Sequence, residues 1–195
     1  MKSFGDPLEE ALTLLGEVLE ASGAAPLRLV VAGGAALRAG RWVTRVTRDV
    51  DVIARRGEVD GEILSAWPLD EGLRVAVAQV AAELRLPENW LNASAALVMV
   101  PLEELPGRVW SGGMTRAYGS RLRIEFVGRE GLIDLKLHAA LNPERRHDVA
   151  DLKALSPSKG EFAVARGWLE SSGLLDANQR QQLESLHHEL FDEND

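Results

Sequence analysis

Leu27-Arg28-Leu29-Val30-Val31-Ala32-Gly33-Gly34-Ala35-Ala36-Leu37-Arg38, followed by Arg45-Val46-Thr47-Arg48-Asp49-Val50-Asp51-Val52-Ile53, is the stretch on which the fold turns. Its first six residues are an apolar run rich in β-branched side chains, which predicts a buried strand. Gly33-Gly34 breaks that run, and Ala35 to Arg38 predicts a short helix stopped by Gly40. The alternation Asp-Val-Asp-Val-Ile over 49–53 predicts a second strand. Successive strand residues point to opposite faces, so Val50 and Val52 enter the core while Asp49 and Asp51 project together.

On the N-terminal side the spacing predicts a helix with Asp6 as N-cap, Pro7 at its first position and Glu9 completing a capping box. Its apolar face is Leu8, Leu12, Leu15 and Leu19, and Gly23 ends it. Downstream, 70–84 reads as a helix, 87–92 as a turn, and 93–100 is ambiguous between helix and strand. The proline- and glycine-rich stretch 101–118 reads as loop with a short strand near Val109, and 121–127 alternates as a half-buried strand. Helices follow at 130–141, 143–155, 159–171 and 176–191, with Ser158/Glu161 and Asp176/Gln179 as capping boxes. The pattern is α/β (α+β): one domain over 1–195, with a mixed sheet core at about 24–128 and a helical part at about 129–195.

The 46% hydrophobic and 27% charged fractions are those of a folded globular chain. The absence of cysteine excludes disulfides, thiolate metal sites and cysteine nucleophiles, and the four histidines lack zinc-site spacing. No apolar run is long enough to span a bilayer and the N-terminus meets an acid too early for a signal peptide, so a cytoplasmic location is expected. A net charge of −8 argues against a dedicated nucleic-acid binder. Between Arg28 and Arg56, however, seven arginines face only Asp49 and Asp51, which suits a local polyanionic ligand or simply a solvated basic surface.

Two neighbouring carboxylates repel, and a hard divalent ion such as Mg²⁺ or Mn²⁺ resolves the conflict while leaving coordination positions for phosphate. The alternative is that Arg45 and Arg48 pair with them. A glycine pair at a strand-to-helix turn exposes N–H groups to a phosphate, or is a plain tight turn. On the helix at 130–141, Lys136 lies in the middle of the arc of Leu132, Ile133, Ala139 and Ala140, with Asp134 and His138 on the other face. Such a lysine meets either a ligand or a partner, and Asp148, flanked by Leu152 and Leu155, is the candidate partner. Glu125 shares a strand face with Arg121 and Arg123, as a third carboxylate or as a cross-strand ion pair. Trp42, beside the arginine-rich loop, is a base-stacking candidate.

The segment from Val31 through Gly33-Gly34 to Arg45-x-Thr47-x-Asp49-x-Asp51 resembles the first motif of the nucleotidyltransferase superfold, the DNA polymerase β-like fold, in its bacterial AbiEii/MenT-type branch. Lys136-Leu137-His138-Ala139 and Arg145-Arg146-His147-Asp148-Val149-Ala150-Asp151-Leu152 resemble that branch's later motifs. The resemblance implies an enzyme that moves a nucleotidyl group from a nucleoside triphosphate to an acceptor hydroxyl on RNA such as tRNA, a protein or a small molecule. It implies Asp49, Asp51, Lys136 and Asp148 as catalytic residues, with Gly33, Gly34, Arg48 and Lys136 on the phosphates. Asp49 and Asp51 would hold Mg²⁺ or Mn²⁺, with Glu125 the candidate third ligand. Some members are toxins, which would add an antitoxin partner. Ala35 departs from the Ser or Thr of many relatives. Two other classes compete: a non-catalytic nucleotide- or partner-binding module on the same fold, and a structural or antitoxin-like interaction protein with an acidic helical end.

Overall fold

The computed structural model describes residues 7–59, 61–98 and 100–192. Asp6 and the terminal Glu193-Asn194-Asp195 lie outside the described residues. The chain runs α1 (Pro7–Ala21), β1 (Leu27–Ala32), α2 (Gly33–Ala39), β2 (Val50–Arg56), β3 (Ile63–Ser65), α3 (Glu71–Leu84), β4 (Leu91–Asn92) and α4 (Ala95–Val98). After two 3-10 turns it continues through β5 (Met114–Tyr118), β6 (Leu122–Phe126), α5 (Arg129–Ala140), α6 (Arg146–Leu155), α7 (Lys159–Ser171) and α8 (Ala177–Phe191). This is a mixed α/β fold built on a six-stranded sheet of order β3-β2-β1-β6-β5, with β4 also pairing β2.

β1 is central because it is the most apolar strand: it pairs antiparallel with β2 and parallel with β6, and Val30, Val31 and Ala32 are buried. Between β1 and β2 the register slips at Val30/Val31, so Ile53 is the extra residue of a bulge and is buried along with Val52 and Ala54. β4 runs parallel to the start of β2, placing Asn92 opposite Asp51. α1 packs on α3, β5 and β6, while α5 packs on α2, α6 and α7. The buried side chains form one contiguous core.

Several expectations change on contact with the tertiary structure. The expected capping box of α1 rests on Asp6 and so lies outside the described residues; the Glu9 carboxylate takes Arg116 and the Tyr118 hydroxyl, tying α1 to β5. Val109 lies in the 3-10 turn Gly107–Trp110, launched by Pro106, and the strand of this region is β5 instead. β5 escapes a periodicity search because most of it is an exposed edge. The helix expected from 143 begins at Arg146, because the Asn142 side chain accepts the Glu144 N–H at 3.0 Å and makes a turn there. α5 is buried on more than one side, since Asp134, expected on an outer face, is fully buried against Arg108. Both C-terminal capping boxes form as expected. Among the described residues no helix is long and apolar enough to cross a membrane.

Candidate functional site

The C-terminal end of β1 turns directly into α2, and a cleft of about 760 Å³ opens there. That volume is in the range of small-molecule sites. It is lined by Gly33 and Gly34, by Asp49 and Asp51, by Lys136 and His138 of α5, by Arg145 and Asp148 around α6, and by Gln179 of α8.

Gly33 has φ +64°, and a Cβ there would lie 2.4 Å from Asp51 Oδ2. A side chain is thus excluded both by the left-handed backbone and by the carboxylate pressed over the turn. A Cβ on Gly34 would come within 2.6 Å of Thr47 Oγ1. α2 has no side-chain cap, so its first N–H groups meet the cleft without an internal acceptor from a capping residue. Ala35 supplies no hydroxyl here; the hydroxyl beside Gly34 is that of buried Thr47, which donates to Asp49 Oδ1 at 3.2 Å.

Asp51 on β2 and Asp49 just before its first residue share the cleft, as expected of alternate positions. Neither has a salt bridge among the described residues. Arg45, expected as an alternative partner, instead makes a bidentate contact with Asp151 at 2.7–3.0 Å. Burial, followed by the charge of Asp49, pushes the Asp51 carboxyl above the usual range, against the opposing pull of Asn92, Lys136 and Arg145. A pair of carboxylates with no salt bridge of their own among the described residues, and with an oxygen held over a glycine turn, fits a hard divalent cation.

Lys136 is buried, with Nζ 2.6 Å from Asp148 Oδ1 and 2.7 Å from Asp151 Oδ2. The expected ion pair is present and is wider than the sequence indicated. An ammonium has three donors, so one remains for the cleft. Arg145 Nε lies 2.8 Å from Asp148 Oδ2 without alignment for a hydrogen bond, and that buried oxygen accepts none among the described residues. His138 is held below its ordinary range by burial and then by Arg145, and so stays neutral near pH 7. Its ring meets Trp168 edge-on at 6.1 Å.

Three expected residues lie elsewhere. Glu125 is on β6, bound to Arg28 at 3.1 Å and Arg56 at 2.8 Å, and lines a separate small cavity. Arg48 is exposed and is not among the lining residues of the cleft. Trp42 is half-buried against the core, its ring over Gly40. Thr47, Asn92, Asp151 and Gln179 are residues at or beside the cleft to which the sequence assigned no site role, Gln179 having been read only as a cap. Thr47 and Asp151 stood within the quoted motifs; nothing signalled that Asn92 and Gln179 would reach the cleft, since their placement depends on a two-residue strand and on the packing of α8.

No family model, no curated protein and no solved structure matches this chain.

Proposed function

We propose that the chain is a Mg²⁺- or Mn²⁺-dependent nucleotidyltransferase that moves a nucleotidyl group from a nucleoside triphosphate to an acceptor hydroxyl. The observation that carries this reading is the meeting of Asp49, Asp51, the Gly33-Gly34 turn and Lys136 in one cleft. The resemblance of the same segments to the AbiEii/MenT-type branch supports it independently of the geometry.

Asp49 and Asp51 would hold the cation, which screens phosphate charge and favours in-line attack at the α-phosphorus. The Gly33 and Gly34 N–H groups would receive phosphate oxygens at the helix start. Lys136, fixed by Asp148 and Asp151, would direct its remaining donor to the charge that develops on the leaving pyrophosphate. The acceptor oxygen forms the new bond to phosphorus as the bond to the β-phosphate bridging oxygen breaks. The acceptor proton would pass to the carboxylate of Asp148, a lining residue whose buried Oδ2 accepts no hydrogen bond among the described residues. The acceptor is an RNA such as tRNA, a protein or a small molecule.

The double pairing of Lys136 favours one alternative, a module that binds nucleotide without transferring it. α-Labelled triphosphates incubated with Mg²⁺ and with total tRNA or protein as acceptors separate the two. Transfer is expected with the native chain and is expected to fall by at least about a hundredfold in Asp51→Asn. Nucleotide binding with no label on any acceptor would favour the module; equal transfer by Asp51→Asn would sink the metal assignment.

A further inference from the structure

We infer that Asn92 is a positioning residue of the ion site, holding Asp51 by its side-chain amide and limiting the site to one divalent ion. This rests on the metal reading of Asp49 and Asp51 given above.

Asn92 is on β4, and the pairing Val50–Leu91 and Asp51–Asn92 sets it beside Asp51 on the neighbouring parallel strand. Its amide oxygen accepts the Ser94 N–H at 2.9 Å, which fixes the way the amide faces. Nδ2 donates to Asn89 O at 3.3 Å and approaches Asp51 Oδ1 at 3.5 Å. The last distance is at the outer limit for a hydrogen bond, so what it supplies is orientation more than strength. Asp51 Oδ2 lies over Gly33. One oxygen of the carboxylate therefore faces an amide donor and the other the glycine turn.

An NH₂ group only donates, so it cannot ligate a cation, and the bond from Ser94 N–H to the amide oxygen keeps the NH₂ end toward Asp51. The position across from Asp51, where a carboxylate would admit a second ion, instead presents positive dipole. Glu125 does not substitute, being bound to Arg28 and Arg56. Among the described residues no group of three or more His, Asp or Glu side chains could hold a metal. Two carboxylates completed by water and phosphate are an ordinary Mg²⁺ arrangement.

The test is titration with Mn²⁺ alone, following free Mn²⁺ by electron paramagnetic resonance, on the native chain, Asn92→Asp, Asn92→Leu and Asp51→Asn. Asn92→Asp keeps the oxygen that anchors Ser94 and reverses the sign of the face toward Asp51. The native chain is expected to take one ion. Asn92→Asp is expected to bind that ion about tenfold more tightly and to admit a second, because carboxylate count sets affinity at such sites. Asn92→Leu is expected to bind about tenfold more weakly, as when other residues that orient a ligand are removed. A merely structural Asn92 would leave the Mn²⁺ affinity of a folded Asn92→Leu at the native value. Two ions on the native chain, or native affinity in both Asn92 variants while Asp51→Asn loses the ion, overturns the inference and leaves the site reading intact. Native Mn²⁺ binding by Asp51→Asn overturns the site reading and the inference with it.

Discussion

Gly33 carries two constraints at once: a backbone at φ +64° and a carboxylate oxygen 2.4 Å from where a Cβ would stand. The first is the reason a glycine pair after a strand reads as a tight turn. The second belongs to Asp51, eighteen positions on, and only the β1–β2 register, which puts Ala32 opposite Asp51, brings the two together. Gly33→Ala is expected to cost about 1–2 kcal/mol from the left-handed backbone alone, read by urea unfolding. It is also expected to abolish label transfer, since the methyl group must displace Asp51. Full transfer in a folded Gly33→Ala variant would contradict the placement of that carboxylate in the site. Asp49 and Asp51 themselves were legible, because alternation in a strand is local geometry.

Helices α5 and α6 and the loop before β2 are joined by a ladder of ions: Arg45 on Asp151, Asp151 and Asp148 on Lys136, and Arg145 beside Asp148. It straps the acid-bearing segment to the helical part. Asp148 and Asp151, three apart on α6, were bound to share a side. That Arg45 would meet Asp151 across 106 positions could not be read from spacing. Burial raises the Asp151 carboxyl, but hydrogen bonds from Arg45 and then Lys136 outweigh it, and it sits below the usual carboxylate range. A carboxylate depressed in the folded state adds stability above its unfolded pKa and loses it as pH falls through the folded one. Asp151→Asn is accordingly expected to cost about 3 kcal/mol at pH 7, with the gap to the native chain narrowing below about pH 4. Urea melts at pH 7 and pH 3 read both numbers; a gap that widens in acid would show that Asp151 is not held ionised by this ladder.

The cleft draws on five separated parts of the chain: the β1–α2 turn, the approach to β2, the segment from Asn92 to Ala95, the α5–α6 pair and the first turn of α8. Gln179 reaches it from α8 while its side chain also closes the cap with Asp176. A ligand filling the cleft must therefore slow exchange in all five at once. Mg²⁺ with a non-hydrolysable triphosphate is expected to protect amides around 33–34, 47–51, 92–95, 136–148 and 177–180 in hydrogen exchange followed by mass spectrometry. The β1–β6 ladder near Arg28 and Glu125 is expected to be unchanged. Protection confined to one segment would place the ligand outside the cleft.

Period and punctuation settled β1, α2, β2, β6 and the order of the C-terminal helices, because each is decided within a few residues by side-chain alternation, glycine or a cap. They also put Asp49 with Asp51 and Lys136 with Asp148, pairs that a strand or two successive helices bring close by local geometry. Edge strands β3, β4 and β5 were invisible, since an exposed or two-residue strand carries little apolar alternation. Long-range pairing was decided in three dimensions: Glu125 went to Arg28 and Arg56, Arg45 to Asp151, and Asn92 to Asp51. Which charge meets which depends on sheet order and register, and those are set by how the whole apolar core closes, not by the spacing of the charges themselves.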